Sequence, residues 1–99
     1  MLYRQGDVLL RKVATVPTGG RRLGEHRVVL AEGEATGHAH VLTGSTLVLW
    51  AAGEQRYVTL AGPGTLVHEE HGAIAVRPGT YEVVRQREYT PQEIRRVAD

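Results

Sequence analysis

Thr46-Leu47-Val48-Leu49-Trp50-Ala51-Ala52-Gly53-Glu54-Gln55-Arg56-Tyr57-Val58-Thr59-Leu60 is the stretch that decides the fold. Thr46–Ala51 is a run of β-favouring and apolar residues. Ala52-Gly53-Glu54 supplies a turn, and Gln55–Leu60 reads as a second strand. Neither run has the 3.6-residue apolar spacing of a helix.

The same rhythm extends in both directions. Upstream, Asp7–Val13 reads as a strand, Val16–Gly24 as a Gly-rich basic loop, and His26–Ala31 as a second strand. Glu32–Gly37 is a turn region, His38–Leu42 a short strand, and Thr43-Gly44-Ser45 a turn. Downstream, Gly62-Pro63-Gly64 is a hard break, Thr65–His68 and Ala73–Val76 read as strands, and Arg77-Pro78-Gly79 turns into Thr80–Arg87. About eight short strands with turn signals between them predict an all-β barrel or sandwich. At the C-terminus, Thr90-Pro91-Gln92-Glu93 has the form of a capping box. It predicts one short helix over Pro91–Ala98, with Arg95 and Arg96 near the negative end of its dipole.

Ninety-nine residues make one domain, 1–99, with a modest core. The chain has no Phe and one Trp, so that core is aliphatic with four Tyr. Cysteine is absent, which removes disulfides, thiolate metal sites and cysteine nucleophiles. The first residues show no apolar signal core, and no apolar run reaches the roughly 20 residues of a membrane span. The expectation is a cytoplasmic protein with no membrane contact. The net charge of +1 implies no polyanionic partner, although eleven of the twelve basic residues are arginine.

Four of the five histidines fall in two clusters, His38-Ala39-His40 and His68-Glu69-Glu70-His71. Imidazole is the commonest protein ligand for transition metals and an acid/base at neutral pH. Residues two apart in a strand share a face, so His38 and His40 project together. In a straight strand His68 would share a face with Glu70. A bend at Glu69-Glu70, which Gly72 makes plausible, would let His71 converge with His68 instead. The expected site is His38, His40 and His68, completed by His71 or Glu70, around Zn, Fe, Ni, Cu or Mn. Glu69 or Glu70, where not a ligand, is the expected general base. His26 stands apart and reads as surface.

Other chemistry is excluded by what is missing. Ser45 is the sole serine and has no G-x-S-x-G setting. Lys12 is not in a phosphate loop. A second feature is the strand face formed by Tyr81, Val83, Arg85 and Arg87, which could meet an anionic substrate or RNA.

Two resemblances arise from these residues. Gly37-His38-Ala39-His40 with a later strand histidine resembles the ligand layout of cupins. That likeness implies a small β-barrel holding a metal on three His and one Glu. The usual Glu shortly after H-x-H is replaced here by Val41-Leu42-Thr43-Gly44-Ser45. The second spans nearly the whole chain. Gln5-Gly6-Asp7-Val8-Leu9, Gly33–His40, His68–His71 and Gln86-Arg87-Glu88-Tyr89-Thr90-Pro91 are similar to a group of small bacterial and phage hypothetical proteins, which implies relatives but no activity.

The expectation is a small metal-binding β-barrel, in its catalytic form a metal-dependent hydrolase or oxygenase acting on a small molecule or nucleotide. The alternatives are an RNA- or protein-binding module using the Arg85/Arg87 face, and metal-free acid/base chemistry on phosphodiesters. Uncovered edge strands make a homodimer a further expectation.

Overall fold

The computed structural model describes residues 1–32 and 37–86. Eight strands form one antiparallel, nearly closed barrel: β1 (Leu2–Gln5), β2 (Val8–Val13), β3 (Arg21–Glu32), β4 (Ala39–Ala52), β5 (Gln55–Leu60), β6 (Gly64–Val67), β7 (Ile74–Val76) and β8 (Gly79–Arg85). The all-β expectation and the strand number hold, but the strands divide the chain differently. The predicted helix over Pro91–Ala98, and Arg87 with it, lies outside the described residues. Among the described residues no helix is long and apolar enough to cross a membrane.

β4 organises the sheet. Its 14 residues pair with β3 along one edge. Along the other edge its second half pairs with β5 and its first half with β6. β5 and β6 therefore act as one interrupted strand, broken at Gly62-Pro63-Gly64. From β5 the sheet continues through β8 and β2 to β1, and from β6 to β7. β1 and β7 then approach each other.

Thr43-Gly44-Ser45 is strand, not turn. A Cβ on Gly44 would lie 3.1 Å from Leu60 Cδ2 and 3.3 Å from the Pro63 carbonyl, so this glycine serves a close approach between β4 and the β5–β6 break. Arg21–Gly24 likewise belongs to β3, where an irregularity between Arg22 and Gly24 absorbs the glycine. β1 is an addition to the sequence reading. Its register, Gln5 opposite Val8, makes Gly6-Asp7 a two-residue hairpin loop, with Gly6 at φ +61°.

The core follows the two-residue period. Val28, Leu42 and Leu66 lie opposite one another across β3, β4 and β6, all buried. Val8, Leu10, Val58, Tyr81 and Val83 fill the other half. Burying an aliphatic side chain of this size contributes roughly 1.5–3 kcal/mol. Tyr3 and Tyr81 meet edge to face at 5.7 Å, and Tyr81 donates to the Arg77 carbonyl at 2.8 Å.

No backbone ladder joins β1 to β7 among the described residues, so side chains close that seam. The Arg77 N–H donates to Tyr3 Oη at 3.1 Å. Gln5 Nε2 donates to the carbonyls of Leu66 and Gly72, at 3.1 and 2.9 Å.

Candidate metal centre

All four clustered histidines meet at one end of the barrel. The β1–β2 loop, the start of β4, the segment after β6 and the end of β8 come together there. After Val67 the chain leaves the sheet and bends through Glu69, Glu70 and His71. The bend resolves the straight-or-bent alternative, because His71 turns back to 4.6 Å from His68 between ring centroids. His40 and His68 lie 4.2 Å apart, His38 and His68 5.6 Å, and His40 and His71 5.8 Å. Gly6 makes room for this: a Cβ there would sit 2.9 Å from His71 Nε2 and 3.2 Å from His40 Cε1.

His40 is buried and held on both sides. Gln5 spends its amide N–H groups on two carbonyls, so its Oε1 faces His40 Nδ1 at 2.9 Å. An amide oxygen only accepts, so His40 carries its proton on Nδ1. Burial, then the neighbouring His68, pushes the His40 pKa below its ordinary value; Asp7 opposes this, while His71 and Arg85 add to it. The neutral ring therefore turns a bare Nε2 towards Asp7 Oδ1 at 3.6 Å. Two facing acceptors are what a proton or a cation bridges. Arg85 holds the other Asp7 oxygen, Oδ2, with Nε at 3.3 Å and Nη2 at 3.1 Å.

Ligand atoms converge on a different set. One nitrogen each from His38 and His68 and one oxygen of Glu69 all lie within 4.8 Å of one another. The Ala39 N–H donates to Glu69 Oε1 at 3.0 Å. That bond, then Glu69's own N–H and the nearby His38 and His68, hold the Glu69 carboxyl below the usual carboxylate range. Glu69 is therefore a carboxylate at neutral pH, as a ligand must be. Glu70 Oε2 stands 3.5 Å from His38 Nδ1, placing its charge on the flank of that ring.

His68 has a particular constraint. Its Nδ1 accepts the Glu70 N–H at 3.0 Å, which puts the proton of the neutral ring on Nε2. Ligation through Nδ1 displaces the Glu70 amide. Ligation through Nε2 moves the ring proton to Nδ1, which again leaves that amide without its acceptor. Either way, occupying His68 releases the Glu70 N–H.

Of the expected residues, His38 and His68 contribute to the convergent set, while His40 and His71 pack beside it. Glu69 faces the histidines as a donor atom, and Glu70 flanks His38. Tyr81 and Val83 belong to the core, so the face carrying Arg85 points inward, and Arg85 ends on Asp7. Arg87 lies outside the described residues. His26 is exposed on β3 at φ +66°, at an irregularity between Glu25 and Arg27. Gln5 and Asp7 were missed as site residues. Their signal was Gly6-Asp7 between two β-type runs, a two-residue hairpin pattern that brings β1 to the cluster.

Beside the triad runs an open groove of about 300 Å³, lined by Arg27, Ala39, Val41, Thr43, Val67, His68 and Glu69. Residues 4–86 match a family described as a domain of unknown function, DUF8820. No curated protein and no solved structure matches the chain, and the cupin likeness of Gly37–His40 finds no counterpart there.

Proposed function

The chain belongs to the DUF8820 family, and we propose that it is a metal-binding β-barrel whose centre is His38, His68 and Glu69. The observation that carries this is the convergence of those three donor atoms within 4.8 Å at the edge of an open groove. Two imidazoles and one carboxylate form the donor set of open divalent-metal sites, non-haem Fe(II) sites among them. Three protein donors leave positions for a substrate, as in catalytic rather than structural sites. The partly exposed His38 and exposed Glu69 have room to adjust to the roughly 2.0–2.2 Å bonds that an ion requires.

A metal held there supplies Lewis-acid or redox chemistry next to the groove. Glu70, whose carboxylate lies 3.5 Å from His38, is the general base in this reading. His40 supports the arrangement from beneath, with its ring against His68 and its tautomer set by Gln5. The cavity size fits a small molecule better than a polymer.

Elemental analysis of protein purified without a histidine tag tests this. One divalent ion per chain is expected, lost in His68→Ala and Glu69→Gln and retained in His26→Ala. Loading should also shift the Glu70 backbone amide resonance, because its acceptor is given up. Wild-type protein that takes up no ion after chelation and reloading with Zn, Fe, Ni or Mn would overturn the proposal.

A further inference from the structure

The groove has a chemical direction along it. On β3, β4 and β6, Val29, Val41 and Val67 lie opposite one another, one residue out of phase with the core row Val28, Leu42 and Leu66. They therefore line the outer face of the sheet. Val41 is buried at the groove floor, while Val67 is 37% exposed beside it. The next row on the same face is Arg27, Thr43 and Thr65. One end thus carries the exposed Arg27 guanidinium and the Thr43 hydroxyl, and the other carries His68 and Glu69.

Arg27 has no ion pair among the described residues. Elsewhere on the sheet Arg22 pairs with Glu25, Arg11 with Glu82 and Arg85 with Asp7. Four residue steps along β4 separate Ala39 from Thr43, roughly 13 Å of strand. The apolar valine floor occupies that interval.

We infer that the groove binds a small amphipathic anion, with its carboxylate or phosphate on Arg27, its apolar body over Val41 and Val67, and its other end towards His68 and Glu69. A guanidinium offers paired N–H donors matched to either oxyanion. In the metal-free protein the Glu69 carboxylate disfavours the reverse orientation. The inference rests on the metal-centre reading only for what lies at the far end of the groove.

Backbone amide titrations of the full chain test it, with hexanoate, hexyl phosphate and neutral 1-hexanol as probes. The anions should shift the Val41, Thr43 and Val67 amides saturably, and 1-hexanol should bind at least tenfold more weakly. The stronger of the two anions identifies the source as carboxylate or phosphate. Arg27→Gln should weaken both anions at least tenfold, while Arg27→Lys recovers part of the affinity. Anion binding that does not change in Arg27→Gln, or 1-hexanol binding as tightly as hexanoate, would overturn the inference. Metal content, measured on the same samples, reports separately on the centre: Arg27→Gln keeps its ion if the centre is as proposed.

Discussion

Gln5→Met isolates the polar work of a single buried amide. Gln5 is 2% exposed and has three partners: the Leu66 carbonyl, the Gly72 carbonyl and His40 Nδ1. Methionine has nearly the same length and no branching, so it fills the space without hydrogen bonding. The Leu66 and His40 partners are buried, and each loses its bond at about 1–3 kcal/mol. The Gly72 carbonyl is only part-buried and can turn to water. Burying the thioether and methyl returns about 1 kcal/mol. The net loss is then about 1–5 kcal/mol, centred near 3, a large share of the 5–15 kcal/mol typical of a domain. With a urea m-value of roughly 1–1.5 kcal/mol/M for a chain this size, the midpoint should fall by about 2 M. The His40 ring should also lose its preference for the Nδ1–H tautomer, read from its ring ¹⁵N shifts. A midpoint change under about 0.5 M, or an unchanged tautomer, would refute the reasoning. Gln5→Glu keeps an acceptor for His40 but turns an oxygen onto two carbonyls, so it should destabilise at least as much.

Gly6→Ala and Gly53→Ala share a left-handed backbone, φ +61° and +64°, so both lose about 1–2 kcal/mol. Only at Gly6 does the new Cβ meet ring atoms, so an extra loss of about 1 kcal/mol is expected there by urea unfolding, with weaker metal uptake; equal losses would show that the ring contacts do not constrain the loop. Gly64→Ala places a Cβ 2.9 Å from the Thr43 carbonyl oxygen, and at least about 2 kcal/mol of stability should go, measured in the same way. The Tyr81 hydroxyl is pushed up to about 12, chiefly by burial and then by Tyr3. A raised pKa means the folded state binds the proton more tightly, so this contribution is intact below about pH 10 and is lost as pH rises from 10 towards 12. The amount is roughly 2–3 kcal/mol, absent in Tyr81→Phe, and alkaline denaturation profiles of the two proteins should diverge in that window.

The barrel was legible because it depends on period-two patterning that the chain repeats. Leu47 and Leu49, or Val58 and Leu60, sit in strands that no helix pattern contests. Errors came where a local signal had a long-range meaning. Gly44 reads as a turn residue until Leu60 and Pro63 are seen packed against it. Arg21 and Arg22 read as loop because an edge strand can be charged on its open side. At the site, His38 and His68 were visible as metal-ligand types and Glu69 as a carboxylate beside them. The choice among the histidines was not visible. It depends on Gln5 and Asp7, some 35 residues away in sequence, reaching His40 first. Arg27 was invisible for the same reason, since its place beside the groove exists only through its pairing with Thr43.

The proposed centre lies beside the seam that no backbone ladder closes among the described residues. Backbone ladders carry the sheet from β1 through β2, β8, β5, β4 and β6 to β7, and the circuit between β7 and β1 is completed by side chains. Gln5 makes that closure by binding Leu66 and Gly72, which flank the His68–His71 segment on both sides. The same amide fixes the His40 proton. Gln5 therefore couples closure of the seam to the His40 proton, while Tyr3 supports the seam without touching the histidines. A segment without a ladder also has no backbone register to hold it, which leaves Glu69 and His68 able to adjust when the Glu70 amide is released. His68 and Glu69 lie in the segment that leaves the sheet after β6, so adjustment to a bound ion falls beside this seam. Binding an ion should then tighten this seam more than any other part of the sheet, so amide exchange should slow first at Leu66, Gly72 and Gln5, and only later, if at all, in β5 and β8.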